Sequence, residues 1–337
     1  MAVAFAPGRV NLVGEHTDYN DGLALAFALS VGVRAEAVGR TDGRVHARAL
    51  DLGEEDEFPL DAIEPAAGWR AFVRGTVAEL RAAGHDLSGA DVEFSGDVPR
   101  GGGLASSAAL TVALALALMG EEDFDRVALA KLCSRVENEW VGARTGLLDQ
   151  LASLLGREGH ALRIDFRALA VTPVALELGP WRLVVLDSGE THDLAASGYN
   201  QRRAECERAR ELLGLESLRD AQVEDLPLLP DPLDRRVRHL LAANVRVGEA
   251  VAALEREDLA ALGPLLDASH ASLRDLYDAS TPAVERTVDA LRAAGAAGAR
   301  MMGGGFGGSV LALLPPGVDA PDGAVEVRPG PGARLLR

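Results

Sequence analysis

At 337 residues, with 48% hydrophobic and 25% charged residues, the chain has an ordinary globular composition and is long enough for two domains. Its formal net charge of −17 excludes the broad basic surface that nucleic acid requires, so nucleic acid is not an expected partner. The longest apolar run, 108–119, is too short for a bilayer, and the N-terminus lacks a signal peptide's basic and apolar regions. A cytoplasmic protein without a membrane partner is expected, with Cys133 and Cys206 as reduced thiols in helix-like segments.

In chain order, residues 4–22 read as a short strand broken by turn residues. Arg9, Glu15, His16 and Asp18 crowd into this stretch. Charged groups of both signs, spaced by glycines, suit a hydroxyl-rich ligand that needs donors and acceptors together. A surface loop, with Asp18 in an Asx-turn and His16 solvated, fits the same letters. Residues 23–49 are strand-like, with glycines as punctuation. Residues 69–83 have helical spacing, with Trp69, Phe72, Val73, Val77 and Leu80 on one side. Trp69 reads first as a core residue and second as a flat surface for a base.

Val92 and Phe94 alternate with polar neighbours, as in a short strand. Gly101, Gly102 and Gly103 follow, then Leu104, Ala105, Ser106 and Ser107, and an Ala- and Leu-rich helical run to Met119. Strand, glycine turn and helix start together aim unpaired backbone N–H groups at one spot, where an anion meets the positive end of the helix. The hydroxyls of Ser106 and Ser107 suit phosphate oxygens or Mg²⁺; a tight turn before a core helix is the alternative. Lys131 is the only lysine and has no Gly-Lys-Ser/Thr context, which rules out a Walker-type loop. Any nucleotide site must therefore use backbone amides, arginine and metal.

Residues 124–141 predict one helix, with Phe124, Ala128, Leu132, Val136 and Trp140 recurring every fourth position. Glu137 falls at the edge of that buried face, either as a surface acid or as a metal ligand. Gly146 opens a helix to Leu155 whose apolar face leaves Asp149 aside; Asp149 either complements the helix dipole or serves catalysis. A composition shift over 163–180 suggests a domain boundary, drawn between 170 and 171. Beyond it come a buried strand at 181–186, helices at 199–213, 235–254, 259–276 and 283–294, and a loop at 227–232. Gly303 to Gly308 match Gly-x-Gly-x-x-Gly, but the next residues, Ser309 to Leu314, read as a strand ending at Pro315. A dinucleotide site needs a helix there, so that reading is rejected.

These motifs resemble the GHMP kinases. Pro7-Gly-Arg-Val-Asn-Leu-Val-Gly-Glu-His-Thr-Asp-Tyr-Asn20 is similar, nearly letter for letter, to the signature of the family's galactose-phosphorylating branch. Residues 101–107 resemble the family's second motif and 303–308 its third. The likeness continues through 146–150, 187–192, 199–203 and 269–274, so it covers nearly the whole chain. The resemblance implies an α+β fold of two domains. Residues 1–170 would form a ribosomal-S5-domain-2-like N-terminal domain and 171–337 a ferredoxin-like C-terminal domain, with the active site in the cleft between them. It implies ATP-dependent phosphorylation of the anomeric hydroxyl of galactose, giving galactose 1-phosphate and ADP. ATP and Mg²⁺ are the implied cofactors, galactose and MgATP the partners, and a monomer the expected state, with a dimer as the alternative. A kinase for N-acetylgalactosamine or arabinose, or a non-catalytic sugar- and ATP-binding regulator, are the rival readings.

By position, Arg9 and Asp149 resemble the catalytic pair, and Glu15, His16, Asp18, Gly146 and Tyr199 the sugar contacts. Trp69 resembles the residue beside adenine. Gly101, Gly102, Gly103, Leu104, Ser106 and Ser107 resemble the phosphate loop, and Ser107 and Glu137 the Mg²⁺ ligands. The chain departs from the pattern twice. Ala105 stands where the family's second motif usually has a first serine, and the sequence begins almost on the first motif, where relatives usually carry a further segment.

Overall fold

In the computed structural model, residues 1–98, 102–190 and 198–336 are described. Gly101 of the phosphate loop, and Thr191 and His192 of the 187–192 motif, lie outside the described residues.

The chain starts with a long strand, β1 (Ala2–Val13), antiparallel to β2 (Leu23–Gly39). Their register shifts between Pro7 and Arg9 and again between Asn11 and Val13. Proline cannot donate to a ladder, and a bulge re-aims the side chains beside it. Arg9, just past the first shift, is buried, and its N–H bonds to Leu104 O at 3.0 Å. β3 (Arg44–Ala49), β4 (Glu54–Pro59), α1 (Trp69–Ala82) and β5 (Ala90–Gly96) follow, and β3 pairs with β5 in parallel.

α2 (Ser106–Met119) packs on β1 and β2 and is apolar on nearly every side, as a helix at the centre of a domain must be. Its N-cap, Ala105, has left-handed backbone (φ 60°, ψ 40°) and supplies no capping bond. A serine at that position has a hydroxyl able to cap; alanine leaves the first-turn N–H groups uncapped.

α3 (Arg126–Arg135) begins at Asp125, whose carboxylate accepts from the N–H groups of Val127 and Ala128. The single helix expected over 124–141 is not what forms. After α3 the chain widens into a π-helix at Val136–Val141. Val136 and Trp140 press on Gly75 of α1, where an added Cβ would lie 2.8 and 2.7 Å from their atoms. Glu137 meanwhile is buried and accepts from Thr145 and Gln150. The wide turn serves both demands, and such turns are frequent at functional sites.

α4 (Leu148–Leu155) is followed by the hairpin β6 (His160–Asp165) and β7 (Ala170–Ala175), and β6 pairs with β2. The stretch 163–180, where sequence suggested a boundary, thus holds two strands of the first sheet. That sheet runs on through Ala175, five residues past the line drawn at 170/171. The chain then builds β8 (Arg182–Asp187), α5 (Tyr199–Leu213), α6 (Leu233–Glu255), α7 (Leu262–Asp275), α8 (Pro282–Ala293), β9 (Gly298–Met301), β10 (Ser309–Leu314) and β11 (Val325–Val327). A last strand, β12 (Arg334–Leu336), returns to pair with β1.

The first sheet has the order β12-β1-β2-β5-β3-β4, with β6 and β7 branching from β2; the second is an antiparallel β11-β8-β10-β9. Residues 303–308 form the turn between antiparallel β9 and β10, a geometry unlike a dinucleotide fingerprint. One buried cluster joins the sheets: Val10, Leu12, Leu25 and Phe27 from the first, Leu183, Val185, Leu311 and Leu313 from the second, and Val247 and Leu254 from α6. Cys133 and Cys206 are buried free thiols. Among the described residues no helix is long and apolar enough to cross a membrane.

Candidate active site

The three glycine-containing motifs meet where the sheets join. A Cβ on Gly8 would lie 2.6 Å from Leu104 O, so the first motif touches the second at a distance only glycine permits. A Cβ on Gly303 would lie 3.4 Å from Gly103 Cα, which brings the third motif against the second. From this junction the Arg9 guanidinium donates to Gly103 O through Nη1 and pairs through Nη2 with Asp149 Oδ1 at 2.6 Å. Asp149 lies in the first turn of α4, its side chain 23% exposed, while that of Arg9 is 6% exposed. A nearly buried cation is thus held between a backbone carbonyl and a solvent-reachable carboxylate.

Beside this pair is a narrow pocket. It is lined by Arg9, Glu15, His16, Asp18, Gly146, Asp149 and Tyr199, all singled out from the sequence, and also by Thr145, Leu148, Gly303 and Gly304. Gly146 has no room for a side chain, since a Cβ would lie 2.2 Å from Asp18 Oδ2. Burial of the Asp18 carboxyl, and then the charge of Asp149, push its pKa up to about 6. Burial also raises that of Glu15, against the opposing pull of Arg300.

His16 is not the solvated loop residue that one sequence reading allowed. It is buried with φ 60°, its ring 5.0 Å from that of Tyr199 and 4.6 Å from that of Tyr277. Its Nε2 donates to Gly304 O at 3.1 Å and its Nδ1 accepts from the Tyr19 hydroxyl at 2.7 Å. Burial, and then His239, draw its pKa down to about 3, so the ring stays neutral. Tyr199 is buried, and that burial raises its phenol well above the usual range.

On the other side of the α2 start is an apolar cavity of about 340 Å³. Trp69, Phe72, Phe94, Val33, Val98 and Leu110 form its walls, and Ser106 and Ser107 stand at its polar edge. Trp69 is neither fully core nor fully exposed. Its Nε1 donates to Glu54 Oε2 at 2.9 Å, and the Arg70 guanidinium lies 4.7 Å over its ring. Sequence reasoning found Trp69 but not Phe72 and Phe94 as cavity walls, because both also satisfy ordinary core periodicity. A larger cavity of about 520 Å³ lies between β7 and α6 and carries none of the motif residues, so size alone does not locate the site.

Glu137 is buried, and its Oε2 accepts from Thr145 Oγ1 at 2.8 Å and Gln150 Nε2 at 3.0 Å. Burial, and then repulsion from Asp149, push its pKa up to about 7. Ser107 is exposed in the first turn of α2. Leu104 is buried behind the loop, and Gly102 and Gly103 lead into it. Among the described residues no cluster of three or more His, Cys, Asp or Glu forms a metal cage.

An uncapped helix start between an apolar cavity and a pocket lined by charged and polar side chains, with an arginine–aspartate pair at the junction, defines a small-molecule phosphotransferase of the α+β class. The models for the GHMP kinase N-terminal and C-terminal domains match residues 71–157 and 250–328, and the galactokinase galactose-binding signature matches 2–38. The chain belongs to the galactokinase branch of the GHMP kinase family. A galactokinase of Roseiflexus sp. (strain RS-1) is 44% identical over 328 residues, 92% of this chain and 82% of that one. A galactokinase of Streptomyces coelicolor is 43% identical over 339 residues, 95% of this chain and 87% of that one. The crystal structure of Lactococcus lactis galactokinase complexed with galactose aligns at TM-score 0.92 and 30% identity, over 99% of this chain and 95% of that one. The Methanococcus jannaschii mevalonate kinase shares the fold, at TM-score 0.69 and 18% identity over 98% of each chain.

The raised pKa of Asp18 has a consequence for stability. Between the ordinary carboxyl value of 3.8 and about 6 the folded chain holds a proton that the unfolded chain has lost. Its stabilising contribution is therefore complete below about pH 4 and lost as the pH rises through about 6. Asp18→Asn removes this dependence. Its melting temperature relative to the parent protein should rise between pH 4 and pH 8 in the absence of ligands, as measured by calorimetry at fixed ionic strength.

Proposed function

We propose that this chain transfers the terminal phosphoryl group of ATP to the anomeric hydroxyl of galactose, giving galactose 1-phosphate and ADP. One observation carries the reading: a single pocket gathers Glu15, His16, Asp18 and Tyr199 around the Arg9–Asp149 pair. Phosphoryl transfer asks a protein for positioning and charge neutralisation more than for covalent chemistry. The apolar cavity with Trp69 takes the base. The α2 start, with Gly101, Gly102, Gly103, Leu104, Ser106 and Ser107, takes the phosphates on backbone N–H groups and hydroxyls.

In this reading Asp149 accepts the proton of the attacking hydroxyl as its oxygen bonds to the γ-phosphorus and ADP departs. Arg9, held against Asp149, faces the charge that develops on the sugar oxygen and the transferring group. Asp18 and Glu15 accept hydrogen bonds from sugar hydroxyls. A site built to bond a hydroxyl rejects the epimer that points it elsewhere, and Gly146 keeps Asp18 close enough to impose this.

Ser107 and Glu137 fit Mg²⁺. Both offer hard oxygen, and the Glu137 carboxylate is buried within the repulsive field of Asp149, which a cation would relieve. Bound there, Mg²⁺ would neutralise phosphate charge.

The test of the function is ADP release by purified protein with MgATP and a panel of sugars. Galactose should be turned over far faster than glucose, its 4-epimer. Equal rates would remove the specificity assigned to Asp18, and no ADP with any sugar would make the chain a binding regulator.

Asp149→Asn should lower kcat by at least roughly 10²-fold while galactose still binds by calorimetry. Normal single-turnover chemistry with binding lost would instead make Asp149 a sugar anchor.

Glu137→Gln should raise the Mg²⁺ concentration for half-maximal rate while the melting curve stays cooperative. An unchanged Mg²⁺ dependence would return Glu137 to a structural role.

A further inference from the structure

Arg300 lies on β9, three residues before Gly303, and is fully buried. Burying a guanidinium is costly unless its donors are answered. Here its fork reaches two parts of the first motif at once. Nη1 donates to Leu12 O at 2.7 Å and to Asn11 O at 3.3 Å, at the end of β1. Nη2 is ion-paired with Glu15 Oε1.

His239 of α6 takes the third hold on the same residue. Its Nε2 lies 3.0 Å from the Glu15 carbonyl, which can only accept, so the proton is on Nε2. Its Nδ1 therefore accepts from Ser272 Oγ at 2.8 Å. Glu15 is thus gripped at its carbonyl, at one carboxylate oxygen and through the strand that leads to it, always from the second sheet and its helices. Neither carboxylate oxygen has a hydrogen-bond partner among the described residues; Oε1 is the one ion-paired with Arg300, and the side chain lines the pocket beside Asp149. Arg246 is also buried nearby, but it makes no ion pair with Glu15 among the described residues and does not duplicate this hold.

We infer that Arg300 is a positioning residue for sugar recognition, gripping Glu15 Oε1 and the end of β1 so that Glu15 Oε2 is presented to a sugar hydroxyl. This rests on the reading of Glu15 as a sugar contact. The strand that carries the third motif would thereby govern affinity for the sugar, in addition to closing the cleft with its glycine turn. Arginine suits this position better than lysine, because one planar fork reaches a carboxylate and two carbonyls together.

The test measures the galactose KM, the ATP KM, kcat and the melting temperature for Arg300→Met, Arg300→Lys, Glu15→Gln and the double variant Glu15→Gln/Arg300→Met. Arg300→Met should raise the galactose KM by about 10-fold or more while the ATP KM stays within about 2-fold. Arg300→Lys should recover part of the loss, since it keeps the charge without the fork. The double variant should have a galactose KM no worse than that of Glu15→Gln, because the two residues act through one contact. An unchanged galactose KM in Arg300→Met, or independent losses that multiply in the double variant, would overturn the inference. An unchanged galactose KM in Glu15→Gln would overturn the reading of Glu15, and the inference with it. Should Arg300→Met fail to fold, Arg300→Lys decides: a selective rise in galactose KM supports the role, and equal rises for both substrates refute it.

Discussion

The cleft depends on holding a desolvated arginine without losing its charge to a permanent partner. Arg9 is almost buried in an acidic protein, and its side-chain holds are the Gly103 carbonyl and the Asp149 carboxylate. A buried ion pair contributes little net stability, because desolvation offsets the attraction. What it provides is orientation. The bulge in β1, the contact of Gly8 with Leu104 and the contact of Gly303 with Gly103 all bring backbone close enough to fix that one guanidinium. A side chain at Gly8 would collide with the Leu104 carbonyl, open the junction and let water compete for Arg9.

The same junction explains why the sugar cavity belongs to both sheets. Glu15 and His16 are encoded between β1 and β2, yet their partners are Arg300, His239 and the Gly304 carbonyl from the second half of the chain. The glycine-rich third motif acts here through a carbonyl and through close approach. A dinucleotide fingerprint would act through the N–H groups of a following helix.

What could be read from sequence follows the same division. The first motif was legible as a resemblance: the spacing of Arg9, Glu15, His16 and Asp18 fitted a surface loop as well as a ligand site, and only the likeness of 7–20 to the family signature chose between them. The start of α2 was legible from three glycines and two serines. The π-helix at Val136–Val141 was not, because its cause is Gly75 on another helix. Nor were the β6–β7 hairpin in the first sheet and the return of β12, since pairing partners far apart in sequence leave no periodic trace. Arg300 and His239 look like ordinary strand and helix residues until the fold sets them against Glu15. Trp69 lay between the two cases, with core spacing in sequence and a cavity wall in the fold.

The carboxylates give the site its remaining property. Asp18 and Glu137 are both pushed upward by burial and then by the charge of Asp149, so the ligand-free site has more negative charge than its surroundings favour. A cation beside Glu137 and hydroxyl donors beside Asp18 would each lower that cost. The acids also differ in setting: Asp149, paired with Arg9, is reachable by solvent, while the carboxyl of Glu137 is buried.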